Sequence, residues 1–132
     1  MSGWGFVYCM SNPCMPGVFK IGMTTRSPME RCDELSNSTS APMPFALLCY
    51  AEVLDPREVE LHMHEMFQGD RVSRGREFFS ARFDDINTAI RLSSRNFCLT
   101  HDGRRCLEAE ASAAVDWQAS VASSAPTSET LQ

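Results

Sequence analysis

Two short strand-like runs near the N-terminus, Gly5-Phe6-Val7-Tyr8 and Phe19-Lys20-Ile21-Gly22, constrain the fold more than any other feature of the chain. Both are rich in β-branched and aromatic residues, which suit a pleated, half-buried surface. Between them lie Asn12-Pro13 and Pro16-Gly17, pairs that favour turns. The pattern predicts a hairpin with strands over residues 3–10 and 17–23. A tyrosine, a lysine and a glycine interrupt these apolar runs, which points to a site built on a sheet.

Further along, Ser27-Pro28-Met29-Glu30 reads as a helix start. Serine caps, proline suits the first helical position, and glutamate three residues after the cap completes a capping box. Met29, Cys32 and Leu35 give that helix an apolar stripe, and Asn37 to Ser40 ends it. After Pro42 and Pro44, the apolar run 45–53 predicts a third strand buried on both faces. Asp55-Pro56-Arg57-Glu58 repeats the helix-start pattern, with Val59, Met63, Met66 and Phe67 as the buried face of a second helix. Residues 77–80 suggest a short strand, and Phe83, Ile86, Ala89, Ile90 and, less regularly, Leu92 a third helix. From about residue 109 the chain turns rich in alanine and serine, with Trp117 its one aromatic. Too little apolar surface remains there to offset chain entropy, so a flexible tail is expected, with a helix fragment over 111–121 as the alternative.

The chain has 132 residues, 43% of them hydrophobic, enough for one domain, placed at 1–95, with an extension over 96–132. No apolar run of about 18 residues predicts a membrane span. The start, Met1-Ser2-Gly3-Trp4-Gly5, lacks a basic region followed by an apolar stretch, so a cytoplasmic location is expected. Six cysteines, none in a Cys-x-x-Cys pair, read as free reduced thiols. Cys98, His101 and Cys106 offer three metal ligands, but their spacing matches no common zinc motif. A formal charge of −5 argues against a general polyanion binder. Even so, Arg71, Arg74, Arg76 and Arg82 form one basic stretch and Lys20, Arg26 and Arg31 another. Either can meet a phosphate backbone, and either can be an ordinary solvated surface.

The hairpin resembles the two signature strands of the GIY-YIG nuclease superfamily, and is closer to a phage and bacterial DNA-binding branch whose second signature reads Lys-Ile-Gly, as Lys20-Ile21-Gly22 does here. Three later blocks are similar in order: Gly22 to Pro28 leading into Glu30-Arg31-Cys32-Asp33-Glu34-Leu35, then Glu60-Leu61-His62-Met63-His64-Glu65-Met66-Phe67, then Gly75-Arg76-Glu77-Phe78-Phe79. The resemblance runs from residue 3 to about 92. It implies an α/β (α+β) fold, a small, mostly antiparallel sheet flanked by helices, followed here by the flexible tail. It also implies a metal-dependent DNA endonuclease. The parent superfamily has a tyrosine where this chain has Lys20, so that tyrosine's role does not transfer.

Phosphodiester hydrolysis needs a positioned water, a proton acceptor and cations for the developing charge. The resemblance puts Tyr8, Lys20, Arg31 and Glu60 in the catalytic site. Tyr8 would orient or deprotonate the water, with Lys20 lowering its pKa. The alternative for Tyr8 is a strand tyrosine that only packs. The planar Arg31 fork suits a phosphate, or else pairs with Glu34 or Asp33 on the helix surface. Glu60 would hold magnesium, because such sites use one or two carboxylates with waters and phosphate oxygens. His64, four residues on, shares its helix face and would reach a phosphate or a metal-bound water, or else form a helix-surface ion pair. Arg26, Arg31, His64, Arg71, Arg74 and Arg76 are the expected DNA contacts, and Glu77 is expected to pair with a cation such as Arg71. The other readings are a non-catalytic DNA-binding module of the same fold, or a phage or mobile-element protein that uses the domain or its tail to bind a protein partner. Oligomeric state is open.

Overall fold

The computed structural model describes residues 3–38, 42–72 and 77–124. The first hairpin forms as the sequence predicts: strand β1 (Trp4–Ser11) pairs antiparallel with β2 (Val18–Thr24). Its turn is shaped by Asn12, whose side-chain oxygen accepts from the Cys14 amide at 2.9 Å. Gly17 completes the turn at φ 77°, a conformation that costs glycine little.

Helix α1 (Pro28–Ser36) follows, with Ser27 accepting from the Glu30 amide at 3.3 Å and Pro28 in the first turn. Strand β3 (Ala46–Leu54) then pairs with the free side of β1, with a bulge between Cys9 and Met10. Helix α2 (Pro56–Met66) departs from the expected start. Asp55 stands at its cap with φ 58°, in the left-handed region, and its side chain makes no capping bond. Proline in the first turn starts this helix without that cap.

Strand β4 (Phe78–Ser80) adds to β2, and helix α3 (Phe83–Leu92) leads into strand β5 (Phe97–Leu99), which adds to β3. The result is an α+β fold with an antiparallel five-stranded sheet in the order β4-β2-β1-β3-β5. Side chains alternate across it. Val7, Cys9, Ile21, Cys49 and Ala51 face a core completed by Met63 and Phe67, by Phe83, Ile86 and Ile90 of α3, and by Phe79. The other face is narrower: Tyr8, Met10 and Leu47 pack against Cys32 of α1, with Leu35, Phe45 and Tyr50 at the margin.

Packed elements continue past residue 95, the expected end of the domain. Helix α4 (His101–Ser124) is docked on the sheet by its first turns. The Thr100 hydroxyl accepts from the Gly103 amide at 3.0 Å and donates toward the Leu47 and Leu48 carbonyls at 2.6 and 2.9 Å. Cys106 and Leu107 pack against the main core. Glu110 then caps α3: its carboxylate accepts from the amides of Phe83 at 2.6 Å and Asp84 at 3.0 Å. Arg82, at the cap position itself, makes no side-chain capping bond, so a carboxylate from a distant helix completes that terminus. Past Glu110 the helix runs on to Ser124, with its residues exposed from Ala111 to Ala122. The cysteines are free thiols. Cys106 packs on the main core while Cys98 lies beside Tyr50 on the opposite face, which separates two of the three ligands considered for zinc. Among the described residues no helix is long and apolar enough to cross a membrane.

Candidate functional site

Tyr8 and Gly22 are direct partners across the β1–β2 hairpin, and the absence of a side chain at 22 is what admits the phenol. A Cβ on Gly22 would lie 2.5 Å from the Tyr8 hydroxyl oxygen, well inside contact distance. The ring is 1% exposed, held among Met10, Cys32 and Leu47.

Arg31, from the second turn of α1, donates to the Tyr8 hydroxyl. Its Nη1 also lies 3.3 Å from Oε1 of Glu34, one turn further along the helix. Glu34 holds Arg26 as well, through Nη2 at 2.7 and 2.9 Å from its two oxygens. The pull of Arg26, then of Arg31, keeps the Glu34 carboxyl below the usual range. Two guanidinium groups expected to meet phosphate are thus gathered around a single carboxylate at the edge of the Tyr8 pocket.

Lys20 sits two residues before Gly22, so it shares the Tyr8 face. Its ammonium is paired with the Glu77 carboxylate and lies 5.6 Å from the centroid of the Phe78 ring. This corrects two expectations. Glu77 takes Lys20 rather than Arg71 as its cation, and Arg71 instead places its guanidinium 5.3 Å from the Phe79 ring centroid. Lys20 also does not lower the Tyr8 pKa: burial pushes the phenol up to about 12, and Arg31 is the cation that opposes the rise. The reason is geometric, since a strand neighbour's long side chain reaches past the ring to the next strand.

Glu60 lies on the buried stripe of α2 with Pro56, Met63 and Phe67, and is 9% exposed. Met66, expected on that stripe, is exposed instead. Burial, then the charge of Glu77, pushes the Glu60 carboxyl up; His64, Lys20 and Arg57 pull it back. His64 is nearest, with Nε2 4.0 Å from Glu60 Oε2. That nitrogen also lies 2.8 Å from the Ile21 carbonyl oxygen and donates to it, because a carbonyl only accepts. Its ring packs 5.2 Å from that of Phe79. His64 therefore ties α2 to β2.

Of the other expected contacts, Arg74 and Arg76 lie outside the described residues. Arg71 and His64 line one open groove with Leu61, Glu65 and Gln68. The Arg31–Glu34 pair is one alternative that the sequence offers; what it misses is that Glu34 also holds Arg26, two turns before it.

Tyr8 and Glu60 each feel the charge of Glu77, and Tyr8 feels that of Glu60. Side chains from β1, β2, α1, α2 and the approach to β4 thus form one electrostatically coupled group. Glu60 has, among the described residues, no ion-pair partner nearer than His64 at 4.0 Å, and one buried carboxylate fits one protein ligand of a magnesium ion that keeps its waters. Among the described residues no group of three or more His, Cys, Asp or Glu is placed to cage a metal, so other ligands would be water and phosphate.

No curated protein and no solved structure matches the chain. The model of the T5orf172 domain matches residues 5–94, which takes in the hairpin, α1, β3, α2, β4 and all of α3. That is well over half of the sequence, and the chain belongs to the T5orf172 domain family.

Proposed function

We propose that this domain binds DNA through its phosphate backbone and hydrolyses a phosphodiester with the aid of a divalent cation, as the likeness to GIY-YIG nucleases suggests. The observation that supports this reading is that Arg31 meets the Tyr8 phenol and Lys20 pairs with Glu77, while the buried Glu60 carboxyl is pushed up by burial and by Glu77. A carboxylate kept out of water at such cost has a role that charge satisfies.

In this reading Arg31 presents its free N–H groups to a phosphate, and Arg26 is the second cation once either shares or leaves Glu34. Tyr8 stays protonated at neutral pH, so it positions a water or a phosphate oxygen by hydrogen bonding and does not take the proton itself. Lys20 and Glu77 hold the floor of the site against β4. Glu60 would hold magnesium, which when bound would supply positive charge to the developing oxyanion.

A second reading, a DNA-binding module without turnover, draws on the same Tyr8 phenol, since a group held neutral to about pH 12 is a weak base. Nicking of supercoiled DNA with magnesium, wild type beside Arg31→Ala and Glu60→Ala, separates the two. Hydrolysis predicts that Glu60→Ala binds but does not cut, and that Arg31→Ala reduces the salt dependence of binding by about one phosphate contact. If wild type binds and never cuts with any divalent cation, the binding module is the correct reading. If both variants bind and cut like wild type, the site is wrongly assigned.

A further inference from the structure

Because side chains alternate, Trp4, Phe6 and Tyr8 share one face of β1. Helix α1 covers only the Tyr8–Met10 half of that face. Beyond it Trp4 is 61% exposed and Phe6 partly so. The register with β3 sets Leu54 opposite Trp4 and Tyr50 opposite Tyr8. Leu54 is 50% exposed, and the Phe6 and Tyr50 rings meet edge to face with centroids 5.9 Å apart. Trp4, Leu54, Phe6 and Tyr50 thus share the face that leads to the Tyr8 pocket, with Glu52 between the two β3 residues.

The charges around the strip are arranged on one side. Thr24 pairs with Phe6 across the hairpin, and its hydroxyl accepts from the Arg26 amide at 3.1 Å, so Arg26 stands at the strip's β2 border. Arg31 stands where the strip meets Tyr8. Glu52, opposite Phe6 and between Leu54 and Tyr50, puts a negative charge on the β3 side. Such a face holds phosphates along the arginine side, repels them along the β3 side, and leaves the rings for something flat and uncharged.

We infer that this strip is a stacking platform for unpaired bases of a DNA strand whose phosphates lie at Arg31 and Arg26. The inference rests on the reading of Arg31 as a phosphate contact and narrows its substrate class to DNA with a single-stranded or branched segment. Bases inside an intact duplex already stack on one another and offer no free ring face, whereas an unpaired base stacks on an aromatic side chain irrespective of sequence.

The chain has two tryptophans, so in a Trp117→Phe background the emission reports Trp4 alone. The probes are a thymidine oligonucleotide of about 12 residues and a blunt duplex of the same length, within the span of single-strand sites. The single strand should quench Trp4 and the duplex should not. By anisotropy, Trp4→Ala should weaken single-strand binding by about tenfold, the scale of one stacked base, and leave duplex binding within about twofold. Trp4 is exposed, so its loss spares the fold. If Trp4→Ala leaves single-strand affinity unchanged while Arg31→Ala weakens both probes, the platform is wrong and the phosphate site stands. If neither variant changes binding, both readings fail. Sedimentation showing a dimer that Trp4→Ala dissociates would assign the strip to a second copy of the chain and overturn the inference.

Discussion

Lys20 on β2 and Glu77 at the approach to β4 form an ion pair across the edge of the sheet, 57 residues apart in the chain. The lysine side chain is 10% exposed and the glutamate 41%. The partners are therefore unequal, because loss of Glu77 strands a nearly buried ammonium, whereas loss of Lys20 leaves a carboxylate that water reaches. Glu77→Gln should lower stability by about 1–2 kcal/mol, a buried-pair value discounted for the exposed partner. Lys20→Met should be nearly neutral for stability. Urea denaturation of both single variants and the double variant checks this; additive losses would mean that the two side chains do not act as a pair.

Glu60 should limit stability in favour of its role. Burial raises its pKa in the folded state above the ordinary value of 4.5. The protonated form is then the one the fold prefers. The favourable contribution is full below the unfolded pKa and is lost as pH rises through the folded one. Glu60→Gln mimics the protonated form, so it should melt higher than wild type at pH 7, with the gap closing as pH falls through the folded pKa towards 4.5. A gap that widens on acidification would mean that the carboxylate is held by a positive charge.

Tyr8 leads to an alkaline prediction of the same sign. Its pKa rises from 10.0 to about 12 in the folded chain, mainly through burial. Stability from this group is full below pH 10 and declines between pH 10 and 12, by at most about 3 kcal/mol. Tyrosinate absorbance of the native protein should show Tyr8 un-ionised at pH 10. Arg31→Ala removes the donor that opposes the rise and should delay its ionisation further.

Gly22 is the position where the pocket is most easily closed. A methyl there meets the Tyr8 hydroxyl and ring carbons at 2.5 to 2.9 Å, so the ring must shift within a packed core. Gly22→Ala should cost about 1–3 kcal/mol, the usual overpacking penalty. It should also impair DNA binding or cutting beyond the stability loss, checked at a temperature where the variant stays folded. Unchanged melting would show that the pocket is looser than the Tyr8–Gly22 approach implies.

Local chemistry made much of this legible. The hairpin, the Ser27-Pro28 start and the α3 stripe follow from turn residues, caps and periodicity, and each lies where those rules place it, apart from Leu92, which is exposed. The site residues on β1, β2, α1 and α2 were nameable because motif order fixes which strand carries which side chain. Their partners were not, because reach across a sheet depends on register and side-chain length. Lys20 spans to the strand beyond it, and Arg31, a helix residue, is the one that meets Tyr8. Composition misled most after residue 95. The alanine- and serine-rich part begins only near residue 109; Gly103, Cys106 and Leu107, which dock α4, precede it, and Glu110 lies just inside it.

The last prediction follows from that docking. Gly103 lies so close to β3 that a Cβ would fall 2.0 Å from the Leu48 carbonyl oxygen, a backbone atom that cannot swing aside. Gly103→Ala should therefore displace α4 and cost several kcal/mol, even though alanine is the better helix former by about 1 kcal/mol. Truncation gives the complementary result. A chain ending at residue 95 loses β5, the Thr100 cap and the Glu110 cap of α3, and should unfold or melt far lower than wild type. A chain ending at residue 112 keeps all three and should melt within a few degrees of it, because what it discards is an exposed helix extension. Thermal melts of the two truncations decide the domain boundary. Equal stability of the two would return it to residue 95 and leave α4 outside the folding unit.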